Sequence, residues 1–136
     1  MADDVLLNKA AAIERCVGRA REEYAKAPAT FASDFTRQDA AILNIQRACE
    51  AALDMGHYLI RQRRLGLPQS ARDVFDILAG AKVISSTLAD RLKRMVGFRN
   101  IAVHEYQKLQ LAITVNIIEH HLDEFLQYSE AVLALG

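Results

Sequence analysis

At residues 88–106 the chain reads LADRLKRMVGFRNIAVHEY, and this segment shows its helical character most clearly. Apolar side chains recur there at steps of three and four, the spacing of one face of an α-helix, at Leu88, Leu92, Met95 and Val96. Arg99 falls on the same stripe. A cation in line with a buried face must reach solvent, pair with a carboxylate, or point into a cleft or interface where it can meet an anion.

The same spacing extends outward through the rest of the chain and predicts five helices. The first follows a stripe from Leu6 to Tyr24 and ends at Pro28. The second begins near Thr36, a possible N-cap, and stops at the 66–68 turn, Gly-Leu-Pro. Strand signals are absent, so the chain is predicted to be all-α.

The remaining helix boundaries come from capping residues. Ser70 is expected to cap a short third helix that ends at Gly80, and the fourth helix should start at 85–87 and run into the segment quoted above. The fifth is predicted as one helix from about Leu111 through Val132. Connections this short make neighbouring long helices antiparallel, which predicts an up-and-down helical bundle.

Length and composition fit one domain over residues 1–136. Hydrophobic residues make up 51% of the 136 positions, and no repeat or linker is visible. The stripes of the first and last helices are rich in alanine and long. They indicate either an ordinary core or a surface for a second copy of the chain.

The charge balance gives no global attraction to nucleic acid, because 17 basic residues face 17 acidic ones. Any RNA contact must therefore come from a local patch. Arg91, Lys93 and Arg94 precede the quoted motif and Lys108 follows it, so a phosphate backbone could bind there. The cations at 61–64, by contrast, suit the negative end of a helix.

Neither a metal site nor a disulfide is predicted. Cys16 and Cys49 lie among apolar neighbours and should be buried, reduced thiols. The adjacent histidines His120 and His121 point about 100° apart on a helix and cannot chelate one ion together, so one is expected to face inward and one outward. His57 has no acidic partner at metal spacing.

No export signal or membrane span is visible, and we expect the chain in the cytoplasm.

Four polar groups fall within residues 99–106: Arg99, Asn100, His104 and Tyr106. Histidine exchanges protons near neutral pH. On an unbroken helix, however, His104 lies about 140° around from Arg99, whereas Tyr106 returns to nearly the same face. Arg99 and His104 can meet only if the helix ends or tightens between them, or if a second copy completes the site. An arginine and a histidine at this spacing could also be a helix cap or a surface pair.

Glu50 follows the buried stripe of the second helix closely. An unpaired carboxylate near a core would be costly, and Arg99 is its plausible counter-ion. The alternative is that Glu50 is simply exposed to solvent.

The segment resembles the Arg-x(4–6)-His signature of HEPN-domain ribonucleases, and in particular the Arg-x4-His-x-Tyr form of HepT-like toxins from type VII toxin–antitoxin systems. The likeness includes the lead-in from Leu92, the stretch 42–51, the turn 67–70 and the histidine pair at 120–121. It covers nearly the whole chain, with no departure at the motif positions.

This resemblance implies a HEPN-like bundle that dimerises and cleaves RNA without a metal or other cofactor. His104 would move protons, Arg99 would hold the phosphate, and Asn100 would donate a hydrogen bond or fix the arginine. Two copies typically bring their motifs together, so a monomer would be inactive. The family also implies a partner, a minimal nucleotidyltransferase antitoxin, which in some members transfers AMP to the motif tyrosine, here Tyr106.

Two other functions remain open from the sequence. The chain could be a non-catalytic helical dimer that holds a nucleotidyltransferase, or a small domain that binds nucleotides through Arg99 and the nearby basic residues. Loss of His104 would leave the first of these functions intact. The second would show nucleotide binding without RNA cleavage.

Overall fold

A computed structural model describes residues 3–135 as a bundle of six α-helices, with no strand in that range. Two short 3-10 helices, Pro28–Ser33 and Tyr106–Lys108, connect longer elements. The helices are α1 (Asp4–Ala25), α2 (Phe35–Arg63), α3 (Ala71–Gly80), α4 (Ser86–His104), α5 (Leu111–His120) and α6 (Leu122–Leu133). The all-α prediction is confirmed. None of these helices is long and apolar enough to cross a bilayer.

The cap predicted at Ser70 is confirmed, and α4 begins within the predicted range 85–87. The Ser70 hydroxyl accepts from the Asp73 amide, and the Ser85 hydroxyl accepts from the Leu88 amide. The prediction of Thr36 as the cap of α2 is wrong. That helix begins two residues earlier, where the Asp34 carboxylate accepts from the Arg37 amide at 3.1 Å, and Thr36 lies inside the first turn.

The predicted fifth helix is in fact two helices, broken at His121. The His121 backbone leaves the helical region (φ −125°, ψ −7°), and its ring Nδ1 lies 2.6 Å from the Glu124 carboxylate at the start of α6. The apolar stripe continues across the break, through Ile118 and Leu122. Periodicity alone therefore does not reveal the break.

The core lies where α2 packs against α1, α3, α4 and α6. Tyr128 of α6 is fully buried, donates its hydroxyl to the Ala52 carbonyl at 2.7 Å and meets Phe75 edge to face. Gly56 makes this approach possible, because a Cβ there would lie only 2.4 Å from a methyl carbon of Val74.

The alanine-rich stripes of the first and last helices belong to this same core. Ala10 and Ala20 of α1 are buried, as are Phe125 and Val132 of α6. These members of the two stripes are therefore part of the core of the single chain. Cys16 and Cys49 are buried free thiols, as predicted, and burial raises the pKa of Cys49 to about 12.

Candidate functional site

Arg99 is held in place by a carboxylate of the neighbouring helix. Its Nε and Nη2 donate to Oε2 of Glu50 on α2, at 3.3 and 3.2 Å, and Gln46 donates to the same oxygen at 3.4 Å. Arg99 Nη1 donates to Oδ1 of Asn100 at 3.1 Å. The predicted pairing with Glu50 is confirmed. About a quarter of the Arg99 side chain (28%) remains exposed, so an anion can still reach the guanidinium.

His104 is the last residue of α4, and its side chain is exposed. Within residues 3–135 its ring has no hydrogen-bond partner. Because α4 is unbroken up to His104, the side chains of Arg99 and His104 point about 140° apart. The helix therefore does not by itself aim the two side chains at one point.

Tyr106 does not lie on the same helix as Arg99. The expectation that it shares a face with Arg99 is wrong, because α4 ends at His104 and Tyr106 opens a 3-10 helix. Its hydroxyl donates to the carboxylate of Asp39 on α2. Partial burial, and then this hydrogen bond, raise the pKa of the Tyr106 phenol to about 12.

The two contacts on α2 show how far apart the motif residues lie. Tyr106 reaches Asp39 and Arg99 reaches Glu50, eleven residues later on the same helix. At 1.5 Å per residue this corresponds to about 16 Å along the α2 axis. Asp39 carried no signal in the sequence, because only the fold brings it to the tyrosine.

A groove with a volume of about 490 Å³ runs between α4 and α5. Its floor is apolar, and its cations come from three parts of the chain: Arg72, Arg91, Arg94 and Lys108. The predicted basic patch is thus partly confirmed. Lys93 does not belong to it, because its ammonium group pairs with Asp76 at 2.9 Å and Asp90 at 3.4 Å. Arg72, from α3, joins the patch through the fold and not through its position in the sequence.

The groove leads towards His104. Gly97 and Ile101 line it, and they precede His104 by seven and three residues, which places all three on one face of α4. The Arg72 side chain passes over Gly97, and its Nε donates to the Lys93 carbonyl at 3.4 Å. A Cβ added at Gly97 would come within 3.1 Å of Arg72 Nη2. A glycine at 97 therefore lets Arg72 lie close over the helix.

The opposite wall of the groove holds the pair formed by His121 and Glu124. Glu124 is buried and lies 4.0 Å from Arg91 in addition to its contact with His121. His120 points outward, so the predicted inward and outward orientations of the two histidines are confirmed. Among residues 3–135 no cluster of three His, Cys, Asp or Glu side chains could hold a metal ion.

Comparison with known proteins identifies the family. The family model described as ribonuclease HepT-like matches residues 13–132. This chain belongs to the HepT-like ribonuclease family. A curated relative, the mRNA nuclease HepT of Shewanella oneidensis, is 47% identical over 97% of this chain and 98% of its own length. The resemblance of residues 99–106 to the HepT motif thus extends to nearly the whole chain.

Solved structures of HepT-like proteins have the same fold. A tri-AMPylated HEPN toxin of Shewanella oneidensis in complex with its MNT antitoxin superposes with a TM-score of 0.92, at 47% identity, covering 97% of this chain and 98% of that one. A toxin–antitoxin crystal structure with AMP-PNP gives 0.93 at 46% identity, covering 97% and 99%. A Bacillus subtilis cytosolic protein shares the fold, with a TM-score of 0.70 at 21% identity over 90% of this chain and 87% of that one.

Proposed function

We propose that this chain is the toxin of a toxin–antitoxin pair and cleaves RNA without a metal ion. The observation that carries the proposal is the state of the motif side chains: Arg99 is oriented by Glu50 yet still accessible, and His104 is exposed with a free imidazole. The 47% identical relative is an mRNA nuclease, which supports the same activity here. We place this activity in the cytoplasm, where cellular RNA is available.

The chemistry needs few protein groups. The ribose 2′-hydroxyl attacks the adjacent phosphorus, the bond to the 5′-oxygen breaks, and a cyclic phosphate forms. His104 exchanges the protons of the two oxygens, because imidazole can accept and return them near neutral pH. Arg99 binds the phosphate and its developing charge. Asn100 fixes the guanidinium, since its carbonyl oxygen accepts from Arg99 Nη1.

A homodimer completes the site in this proposal. Arg99 and His104 diverge within one chain, so the Arg99 of one copy must act with the His104 of the other. An apolar side chain next to the motif histidine remains exposed in the single chain, with Val103 41% accessible. A second copy that covers it would remove apolar surface from water as it assembles the site.

The groove between α4 and α5 supplies the path for RNA up to His104. Its cations suit phosphates and its apolar floor suits a base. Glu124 in the wall is buried, with His121 at 2.6 Å and Arg91 at 4.0 Å, so its carboxylate is shielded from a bound phosphate. A chain with no net charge can thus bind RNA through a local patch.

A cognate minimal nucleotidyltransferase is the proposed antitoxin, and it silences the toxin by transferring AMP to Tyr106. The tri-AMPylated relative in complex with an MNT antitoxin supports this regulation. The separation of about 16 Å along α2 argues against the added phosphate occupying the Arg99 site of the same chain. Tyr106 follows His104 by two residues, so the nucleotide blocks access to His104 instead.

The test is cleavage of total cellular RNA in EDTA by the purified chain, after intact mass shows it to be unmodified and its size shows a dimer. We expect the parent to leave cyclic phosphate ends, and His104→Ala and Arg99→Ala to leave RNA intact. His120→Ala and Arg15→Ala, exposed residues outside the motif, should cleave like the parent. If an unmodified dimeric parent cut no RNA, the chain would be a non-catalytic partner-binding module.

A further inference from the structure

The contact between Tyr106 and Asp39 has a chemical consequence for AMP transfer. The phenol hydroxyl donates to Oδ1 of Asp39, which lies in the second turn of α2. Within residues 3–135 Asp39 forms no ion pair with any Lys, Arg or His. No neighbouring cation in that range therefore competes with the phenol hydroxyl for its carboxylate.

The surroundings of the tyrosine single out Asp39 among nearby acids. A cavity of about 220 Å³ lies beside the hydroxyl, and among the described residues Asp39 is the one charged side chain that lines it. The nearest acid in sequence, Glu105, pairs with Lys108 at 2.6 Å. The remaining polar lining is neutral: Gln38, Gln107 and Thr114.

We propose that Asp39 is the proton acceptor when Tyr106 is modified, so that this chain supplies its own base for AMP transfer. The inference rests on the proposed function, because it assumes that Tyr106 is the acceptor of AMP. The phenol oxygen attacks the α-phosphorus of ATP held by the nucleotidyltransferase. The new O–P bond forms, the bond from the α-phosphorus to pyrophosphate breaks, and the phenol proton passes to Oδ1 of Asp39.

A base is needed here because a free phenolate is scarce at neutral pH. The pKa of the Tyr106 phenol is about 12, so nearly every Tyr106 carries its proton. A carboxylate already bonded to that proton removes it as the nucleophile reacts, without first forming the phenolate. Before the reaction, the negative charge of the same carboxylate repels a phenolate and so keeps Tyr106 protonated.

The experiment measures AMP transfer in single turnover, with the full-length chain, its cognate nucleotidyltransferase, ATP and Mg²⁺, read by intact mass. We expect Asp39→Asn to lower the rate constant of AMP transfer about a hundredfold, the lower end of what a general base usually contributes. Asp39→Glu keeps a carboxylate and should recover much of the rate. Glu105→Gln removes a neighbouring charge that does not touch the tyrosine, and it should transfer within about twofold of the parent.

The pH profile separates proton transfer from positioning. The parent rate should be flat between about pH 7 and 9, whereas the Asp39→Asn rate should rise about tenfold per pH unit as the phenolate fraction grows. A variant slowed equally at every pH would show that Asp39 only positions the tyrosine, and an unchanged rate would show that the base lies elsewhere. Either result overturns the proposal. Circular dichroism spectra and partner binding matching the parent identify correctly folded variants.

Tyr106→Phe distinguishes failure of this inference from failure of the proposed function. If the parent is modified and Tyr106→Phe is not, Tyr106 is the acceptor and the Asp39 results can be read directly. If the parent is not modified, or if Tyr106→Phe is modified equally, the proposed regulation at Tyr106 is wrong, and the inference about Asp39 is wrong with it.

Discussion

Substituting Gly56 by alanine should destabilise the bundle, although alanine is the better helix former. A Cβ at position 56 would lie 2.4 Å from Val74 Cγ1 and 2.8 Å from the Tyr128 hydroxyl, far inside the ordinary contact distance of about 3.5 Å. Neither neighbour can move freely, because both are completely buried. Helices α3 and α6 must therefore back away from α2 or repack.

The magnitude is the balance of three effects. Overpacking a dense core costs about 1–3 kcal/mol. A displaced Tyr128 weakens its buried hydrogen bond to the Ala52 carbonyl, which adds about 1–3 kcal/mol. The higher helix propensity of alanine returns about 1 kcal/mol. The net loss in unfolding free energy is about 1–5 kcal/mol.

Gly18 of α1 provides the matched control. A Cβ there meets nothing within 4 Å, so Gly18→Ala should raise the unfolding free energy by about 0.5–1 kcal/mol. Both variants are compared with the parent by urea unfolding at 222 nm and one fixed protein concentration. If Gly56→Ala were as stable as Gly18→Ala, the close packing of α2 against α3 and α6 would be refuted.

Three further predictions concern the site and the core. Glu50→Gln should lower the cleavage rate constant about tenfold, because Arg99 loses its ionic partner. The unfolding free energy should change by only about 0–1 kcal/mol, because the pair is partly exposed. An unchanged rate constant would show that Glu50 does not orient Arg99. In a His104→Ala background, the double variant Arg72→Ala with Arg94→Ala should bind a single-stranded RNA more weakly, and the slope of log binding constant against log salt concentration should become shallower by about 1.4. The control pair Arg15→Ala with Arg61→Ala should change neither quantity. Equal effects of the two pairs would exclude the groove as the RNA path. Cys16 and Cys49 should react with a thiol reagent only on unfolding, because burial raises both pKa values; rapid labelling of the native protein would contradict their burial.

The sequence predicts the helices well because each buries one apolar stripe, and the stripe is visible as spacing. It predicts the cap at Ser70, and it places the start of α4 within 85–87 without deciding among the three hydroxyl residues there. It fails between Asp34 and Thr36, since both residues can cap and the choice depends on how the chain leaves the preceding 3-10 helix. The break at His121 is also invisible, because the apolar positions keep their register across it.

The site is predicted in part, for the same physical reason. Arg99, Asn100 and His104 are close in sequence, and the pairing of Arg99 with Glu50 could be expected because both residues lie beside buried stripes, where an unpaired charge is costly. The contacts made by Asp39 and Arg72 depend on how α2 and α3 lie against the motif, which local spacing does not encode. Tyr106 was misplaced because the exact end of α4 decides its direction, and helix ends are the least certain part of a periodic pattern.

The proposed active site is shared between two chains, and mixed dimers test this most directly. Arg99→Ala and His104→Ala are each inactive alone, but a dimer with one copy of each retains one site with both Arg99 and His104 only if the two residues come from different chains. Dissociating and reassembling the two variants in equal amounts should restore about a quarter of the parent RNA cleavage, because half of the dimers are mixed and each has one of two sites. No recovery, with mixed dimers shown to form, would contradict the shared site.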